Sequence, residues 1–287
     1  MKKQILTAII LSASILFHSC KKSLEEPVLV ELSRSEAAGL NLMKPGVTPF
    51  RFERINEHNF YSQGWKVQQV NIVSGITNFL DQSDHVEIVC GPQNNTDPRL
   101  IQGAVTMNLP TSGDPTLRRV RLRRGGYSGT LLADLTELKY STYVVQNAPT
   151  IMVLQVDINN DTTKDFNIFY SPTRRWQGIS FPPILLNQWQ QWDALQGIWH
   201  IEAGFLPEFP DNECTIEELL GLPQYANARI IDTTPEGHNG EGVRFTIGGN
   251  PRPDYDNTIG YFDALIIGTK GTQHSTLFDF ACNHSHH

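Results

Sequence analysis

Short apolar segments separated by Gly, Pro, Asn and Asp follow one another along most of the chain. They are rich in β-branched and aromatic residues and are bounded by residues that favour turns, which is the pattern of β-strands. The predicted strands are Val86 to Cys90, Ile101 to Leu109, Leu117 to Arg123, Leu138 to Val145, Ile151 to Ile158, Phe166 to Tyr170, Arg229 to Asp232, Val243 to Ile247 and Ile259 to Ile267. Because almost no segment shows a sustained 3.6-residue period, the pattern predicts an all-β protein built as a sandwich or a barrel.

One short helix interrupts the predicted strands. Thr215 and Glu218 have the spacing of a capping box, in which each side chain bonds the backbone N–H of the other residue. Leu219 and Leu220 follow, and Gly221 can end the helix. We therefore expect a helix that begins directly after Thr215 and ends at Gly221.

The first residues have the pattern of a secretory signal peptide. Lys2 and Lys3 give a positive start, and an uncharged apolar run from Ile5 to Phe17 follows. This run is too short to span a bilayer comfortably. Cys20, placed just after it, resembles the modified cysteine in the lipobox of bacterial lipoproteins, in the loose form found in Bacteroidota.

In such lipoproteins a peptidase cuts before the cysteine, and the thiol is diacylated. The resemblance implies that residues 1–19 are removed and that Cys20 carries the lipid. Acyl chains would hold the protein on the outer membrane or cell surface, since each buried methylene adds about 0.8 kcal/mol to membrane binding. The alternative is an ordinary cleaved signal peptide in which Cys20 is incidental.

We expect the mature chain to have three parts. Residues 20–60 have mixed charge and no sustained period, so they are predicted to be a tether. Residues 61–270 contain the predicted strands and show no internal repeat, so they are predicted to form one β-sandwich domain. Residues 271–287 are predicted to be a C-terminal tail.

The charge of the mature chain excludes one class of partner. The 287 residues include 30 acidic and 23 basic side chains, a formal charge of −7. Loss of the signal peptide removes two lysines and leaves 30 acids against 21 bases, a formal charge of −9. Binding of nucleic acids needs basic side chains that neutralise phosphates. We therefore expect no nucleic-acid partner.

Besides Cys20, three cysteines remain in the mature chain: Cys90, Cys214 and Cys282. An exported protein can form disulfides, but an odd number leaves at least one thiol unpaired within the chain. The pairing is open at this point. The absence of a Cys-x-x-Cys motif argues against the usual redox and zinc-ribbon sites.

Several stretches together resemble a group of secreted or surface-attached bacterial β-sandwich modules for which no activity is established. These stretches are residues 127–143, 154–159, 189–194 with Trp199, 215–219, 227–230 and 260–268. The resemblance extends over about residues 86 to 268. It implies an antiparallel, jelly-roll-like β-sandwich and a position at the cell envelope, and it implies no reaction.

The segment 157–165 lies between two predicted strands and partly matches a calcium loop. The candidate ligands are Asp157, Asn159, Asp161 and Asp165. Oxygen-bearing side chains at positions 1, 3, 5 and 9 of a tight loop are the pattern that Ca²⁺ prefers. Thr162 replaces the glycine and Ile168 replaces the bidentate Glu of an EF-hand, so only a looser Ca²⁺-stabilised hairpin is compatible. The alternative is a turn rich in Asn and Asp without any ion.

A second candidate site is rich in aromatic residues. The residues predicted to bind a ligand are Trp176, Trp189, Trp192, Asp193 and Trp199. Flat rings on a sheet face can stack on the apolar faces of sugars, while nearby amides and carboxylates bond the hydroxyl groups. The alternative is that the rings close the core of the sandwich, because Trp is highly buried on average in folded proteins.

Motifs typical of hydrolases, metalloproteases and nucleotide-binding enzymes are absent from the sequence, and no spacing singles out a pair of catalytic carboxylates. The sequence therefore predicts a lipid-anchored envelope protein that binds a ligand, with a polysaccharide as the best candidate. Two alternatives stay open. The protein is either structural or adhesive without a small-molecule site, or, with less support, an enzyme acting on glycosides.

Overall fold

The computed structural model describes twelve parts of the chain. They are residues 50–71, 77–78, 86–92, 100, 102–109, 118–146, 149–172, 182–202, 208–209, 212–232, 242–248 and 258–282. The predicted signal peptide, Cys20 and Trp176 lie outside these residues. Within the parts described, no helix is both long enough and apolar enough to cross a membrane.

Strands dominate the described residues. They are β1 (Phe50–Ile55), β2 (Trp65–Asn71), β3 (Thr77–Asn78), β4 (Val86–Val89), β5 (Ala104–Leu109), β6 (Arg118–Arg124), β7 (Leu135–Gln146), β8 (Ile151–Asp157), β9 (Phe166–Tyr170), β10 (Trp189–Asp193), β11 (Trp199–Ile201), β12 (Glu213–Cys214), β13 (Arg229–Ile230), β14 (Val243–Gly248), β15 (Thr258–Thr269) and β16 (Ser275–Phe280). The described chain has a single α-helix, α1 (Ile216–Leu220), between β12 and β13, and two 3-10 helices, Leu132–Asp134 and Pro223–Tyr225. The all-β prediction is confirmed.

The strands form two sheets. Sheet A has the order β10–β7–β15, and the other edge of β15 pairs first with β5 and then with β16. β4 continues sheet A beyond β5, and β1 runs parallel to β16. Sheet B has the antiparallel order β12–β11–β9–β8–β14–β6–β2–β3, with β13 against β8. The predicted β8–β9 hairpin around residues 157–165 is present.

The core lies between the two sheets and is built largely from aromatic rings. The ring of Phe245 in sheet B lies 4.2 Å from that of Phe262 in sheet A, centroid to centroid. Trp65 of sheet B makes a similar contact with Phe280 of sheet A at 4.8 Å. All four residues are fully buried. Inward-facing residues of two packed sheets are the defining feature of a β-sandwich.

The sandwich extends beyond both predicted domain limits. β1 lies within the predicted tether and β16 within the predicted tail, yet they pair with each other and carry the buried residues Ile55, Phe278 and Phe280. The sandwich therefore includes both β1 and β16. β1 gives a weak sequence signal because charged residues alternate with its aromatic ones and Ile55 alone is fully buried.

A bulge in β15 shifts its pairing register with β7. Asp263 pairs with Ser141 and Ile266 with Lys139, so β15 has one more residue than β7 in this interval. Ala264 adopts φ +56° there, a left-handed conformation that is uncommon outside glycine. The bulge marks the point where the partner of β15 changes from β5 to β16.

Helix α1 begins and ends as predicted. The hydroxyl of Thr215 accepts a bond from the backbone N–H of Glu218 at 3.0 Å, and the Glu218 carboxylate accepts one from the backbone N–H of Thr215 at 2.8 Å. These two bonds complete the capping box. Gly221 is the C-terminal cap.

Of the three cysteines that the structure describes, two form a disulfide and one is a free thiol. Cys90, after β4, is bonded to Cys282, after β16, across 192 residues of sequence. Cys214 is buried and free. Burial, and then the nearby charge of Glu218, raises the pKa of the Cys214 thiol to about 12, so the thiol stays protonated and unreactive at neutral pH.

Candidate functional site

Two of the predicted ligand-binding tryptophans are core residues. Trp192 is 4% exposed, and its Nε1–H donates to the hydroxyl of Thr142 at 2.7 Å. Trp199 is 1% exposed, and its Nε1–H donates to the backbone oxygen of Ala194 at 2.9 Å. Neither ring has a face open to solvent on which a sugar could stack. The structure therefore places these two rings in the alternative role, closing the sandwich.

Trp189 lies on the opposite side of sheet A. It is three residues before Trp192 on β10, and residues an odd number of positions apart in a strand point to opposite faces. Its side chain is only partly buried. The geometry thus separates Trp189 from the other described tryptophans and leaves it on the outer face.

Trp189 is one end of a row of three aromatic side chains that crosses β10, β7 and β15. Trp189 pairs with Tyr143, and Tyr143 pairs with Tyr261. Each neighbouring pair has ring centroids 5.7 Å apart, with interplanar angles of 64° and 78°. These are edge-to-face contacts, which aromatic pairs prefer over flat stacking. We call Trp189, Tyr143 and Tyr261 the aromatic row.

Polar side chains flank the aromatic row on the same face. Gln191, two residues beyond Trp189 on β10, is exposed. At the other end of the row Thr106 pairs with Tyr261, and its hydroxyl donates to the backbone oxygen of Glu87 on β4 at 3.3 Å. The Glu87 side chain is exposed. Amide, hydroxyl and carboxylate groups are therefore in reach of a molecule lying along the row.

The segment Gly91–Pro92 forms one border of the aromatic row. The Nε1–H of Trp189 donates to the backbone oxygen of Pro92 at 3.1 Å. A Cβ added at Gly91 would lie 3.2 Å from Cδ1 of Tyr261, so this glycine lets the backbone approach the ring closely. Both outer rings of the row thus contact the same short segment.

Asp193 is not part of this arrangement. It lies four residues beyond Trp189 on β10, about 13 Å away at the usual rise of a strand. Its carboxylate lies 3.8 Å from the ammonium group of Lys139 and accepts a bond from the backbone N–H of Gln196 at 3.3 Å. Asp193 therefore belongs to a local ion pair and a turn.

The predicted calcium loop is held together by hydrogen bonds of its own. One carboxylate oxygen of Asp157 accepts bonds from the backbone N–H groups of Asn159 (3.0 Å) and Asn160 (2.7 Å), and the other accepts one from Thr162 (3.1 Å). The Asp165 carboxylate accepts a bond from Ile158 at 2.7 Å. Asp157 is 1% exposed, so it acts as the centre of the turn.

The two remaining candidate ligands also bond the loop backbone. Asn159 accepts a bond from the N–H of Asp161 (3.0 Å), and Asp161 accepts one from Thr163 (2.8 Å). In the described parts of the chain, no group of three or more His, Cys, Asp or Glu side chains is arranged to hold a metal ion. The loop geometry is explained by backbone bonding, and calcium stays a prediction.

Sequence reasoning missed Tyr143 and Tyr261 as candidate site residues. The signal that marks them is alternation, because each tyrosine lies next to inward-facing residues on its strand, such as Thr142 and Phe262. Tyr143 and Trp189 are 46 residues apart in the sequence, and Tyr143 and Tyr261 are 118 residues apart. Strand pairing brings these residues together, and no local pattern contains that information.

No model of a known protein family matches this chain, and no curated protein sequence matches it significantly. The function proposed below therefore rests on the sequence and on the geometry of the described residues.

Proposed function

We propose that this protein is an exported, lipid-anchored protein of the outer membrane or cell surface that binds a glycan on the aromatic row. The observation that carries the proposal is the row itself: three aromatic side chains in register on the outer face of a sheet, all partly open to solvent. Sugar rings have apolar faces that stack on aromatic side chains, and their hydroxyl groups need polar partners such as Gln191 and Glu87.

The disulfide supports the exported location. Structural disulfides form and persist in oxidising compartments and are rare in the bacterial cytosol. The bond between Cys90 and Cys282 agrees with the predicted signal peptide, which carries the chain out of the cytosol before Cys20 is acylated. Replacement of Cys20 by Ser tests the anchor: we expect the variant to leave the membrane fraction, and a Cys20→Ser protein that stays there contradicts the proposal.

Adhesion to another protein is the second candidate, and exposed aliphatic residues near the row favour it. Ile259 lies two residues from Tyr261 on the same face and is 37% exposed. Leu186, which bridges to Val144 just beyond Tyr143, is 52% exposed. Apolar side chains around aromatic ones also suit a protein contact.

Thermal unfolding of the full chain with a panel of soluble oligosaccharides distinguishes the two candidates. We expect at least one oligosaccharide to raise the melting temperature of the wild type. A Trp189→Ala variant should bind it at least about tenfold more weakly, since truncating an aromatic hot-spot residue costs about 2 kcal/mol or more. Tyr61→Ala is the matched control, because Tyr61 is exposed (45%) but lies outside the row.

Two results would count against glycan binding on the aromatic row. One is a panel of hexoses, N-acetylhexosamines and deoxyhexoses that leaves the melting temperature unchanged. The other is an equal loss of binding in Tyr61→Ala and Trp189→Ala. Loss of self-association or cell adhesion in Ile259→Ser, with no response to any glycan, would favour the protein contact instead.

A further inference from the structure

The border of the aromatic row is covalently tied to the end of the sandwich. Gly91 and Pro92 directly follow Cys90, and Cys90 is bonded to Cys282 at a Cα–Cα distance of 5.0 Å. β4, which leads into this segment, pairs in the described chain with β5. The disulfide therefore ties the C-terminal end of β4, with the two residues that contact the row, to the residue Cys282 that follows β16.

The other side of the disulfide is firmly positioned. The backbone N–H of Cys282 donates to Gln102 at 3.3 Å, and that of Ala281 donates to Ile55 at 2.7 Å. Gly103 packs so closely against this segment that a Cβ there would lie 2.0 Å from the backbone oxygen of Phe280. Cys282 is thus fixed to two neighbouring segments of the fold.

Gln102 provides a second link between the Gly91 segment and Cys282. Its side-chain amide donates to the backbone oxygen of Gly91 at 3.4 Å, while its own backbone oxygen accepts the bond from Cys282. One residue therefore joins both sides of the disulfide. From this fixed point the chain needs only Gly91 and Pro92 to reach Tyr261 and the indole N–H of Trp189.

We infer that Cys90 and Cys282 are positioning residues of the aromatic row. Their disulfide holds the backbone oxygen of Pro92 on the indole of Trp189, and this contact fixes the orientation of that ring. A ring that is already oriented loses less conformational freedom when a ligand binds, which improves affinity. The consequence for glycan binding rests on the proposed function, whereas the positioning of Trp189 does not.

Hydrogen exchange of the tryptophan side chains tests the positioning without any ligand. The full chain, labelled with ¹⁵N-tryptophan, has five indole N–H signals, and Trp189→Phe identifies one of them. In Cys90→Ala/Cys282→Ala we expect the Trp189 indole to exchange roughly tenfold faster, the factor expected from the loss of one ordinary hydrogen bond. Trp192 and Trp199 keep their own buried acceptors, so their exchange is expected to stay unchanged.

Two further variants keep the test decisive. Cys214→Ala removes the free cysteine of the described residues and should leave the Trp189 signal as in the wild type. Pro92→Gly keeps the disulfide but adds backbone freedom between Cys90 and the contact, so it should also speed exchange at Trp189. It serves in place of the double variant if that protein does not fold.

Unchanged Trp189 exchange in a folded double variant and in Pro92→Gly would overturn the inference. Equal acceleration at Trp192 and Trp199 would also overturn it, because that result means general loosening of the fold. If an oligosaccharide binds, we expect its affinity to fall in the double variant but not in Cys214→Ala. Failure of every oligosaccharide to bind would remove the proposed function and leave the exchange result intact.

Discussion

The inner and outer faces of sheet A use the same kinds of residue for different purposes. On the inner face Trp192 is buried, and its indole N–H is bonded to Thr142. On the outer face Trp189 is partly exposed and contacts Tyr143, the residue next to Thr142 on β7. Both tryptophans belong to the five-residue strand β10, and both pair with residues of β7.

The contrast shows that position in the pleat, more than residue type, decides what an aromatic side chain does. The buried indole of Trp192 has an acceptor for its N–H and a ring enclosed by the core, so it contributes to stability. An indole on the outer face keeps part of its surface available for other molecules. The following predictions test this contrast, beginning with the largest effect.

Truncation of the inner tryptophans should separate the two faces most clearly. Trp192→Ala or Trp199→Ala should lower the free energy of unfolding by about 4 kcal/mol, because each leaves a large cavity in the core. Trp189→Ala should lower it by less than about 1.5 kcal/mol, since the ring is only partly buried and makes one hydrogen bond. Urea unfolding measures all three. Equal losses on the two faces would contradict the assignment.

One residue of the loop between β8 and β9 should contribute nearly as much to the free energy of unfolding as a core tryptophan. Asp157→Ala should lower the free energy of unfolding by about 3 kcal/mol, because three backbone N–H groups lose their acceptor. Asp161→Ala is the matched control, as Asp161 is exposed and accepts one such bond; we expect a loss below about 1 kcal/mol.

The same pair of variants tests the calcium prediction. If the loop is held by backbone bonding alone, a chelator should leave the melting temperature of the wild type unchanged. A lower melting temperature in chelator that disappears in both Asp157→Ala and Asp161→Ala would establish a bound cation instead.

High pH should destabilise the protein through its buried acids. Burial raises the pKa of Cys214 to about 12 and raises that of Tyr140 well above its ordinary value. Above about pH 9 the unfolded chain releases protons that the folded chain retains, so stability falls with rising pH by about 1.4 kcal/mol per unit for each such group.

Urea unfolding between pH 8 and 10.5 measures this decline. Cys214→Ala should remove the part that begins near pH 9. Tyr140→Phe should reduce the part that begins near pH 10, to which Tyr127, Tyr170 and Tyr225 also contribute because burial raises their pKa values too. A free energy of unfolding that stays constant up to pH 10.5 would show that neither group is protected in the folded state.

Removal of one buried acceptor should give the smallest effect. Thr142→Val keeps the shape of the side chain but leaves the Nε1–H of Trp192 without a partner, which should cost about 1 to 2 kcal/mol. At the next position, on the outer face, Tyr143→Leu should change stability by less than that while weakening any ligand bound to the aromatic row. A neutral Thr142→Val would indicate that the indole finds another acceptor.

Local patterns were sufficient for much of the fold. The strands from β4 to β9 and from β13 to β15 lie within a few residues of their predicted positions, and α1 begins at its predicted cap. Alternation, turn residues and capping boxes depend on neighbours within a few positions, so a sequence displays them directly. Seven strands, β1, β2, β3, β10, β11, β12 and β16, were not predicted. For β1 the reason is that it joins sheet A by pairing with β16, across more than 200 residues.

The candidate site was predictable only in part, because nearness in sequence is a poor guide to a surface made of several strands. Trp189, Trp192, Asp193 and Trp199 lie within eleven residues of one another, yet the fold assigns two to the core and one to a local ion pair. Trp189 alone stays at the candidate surface among the four, and its partners there come from distant strands.

The sequence by itself determined the all-β class, the capped helix and the β8–β9 hairpin. Tertiary structure decided which tryptophans face inward, which two cysteines join, and that Trp189, Tyr143 and Tyr261 form one row. The physical reason is the distance along the sequence over which each interaction acts. Backbone preferences act between close neighbours, whereas burial and strand pairing depend on residues that only the folded chain brings together.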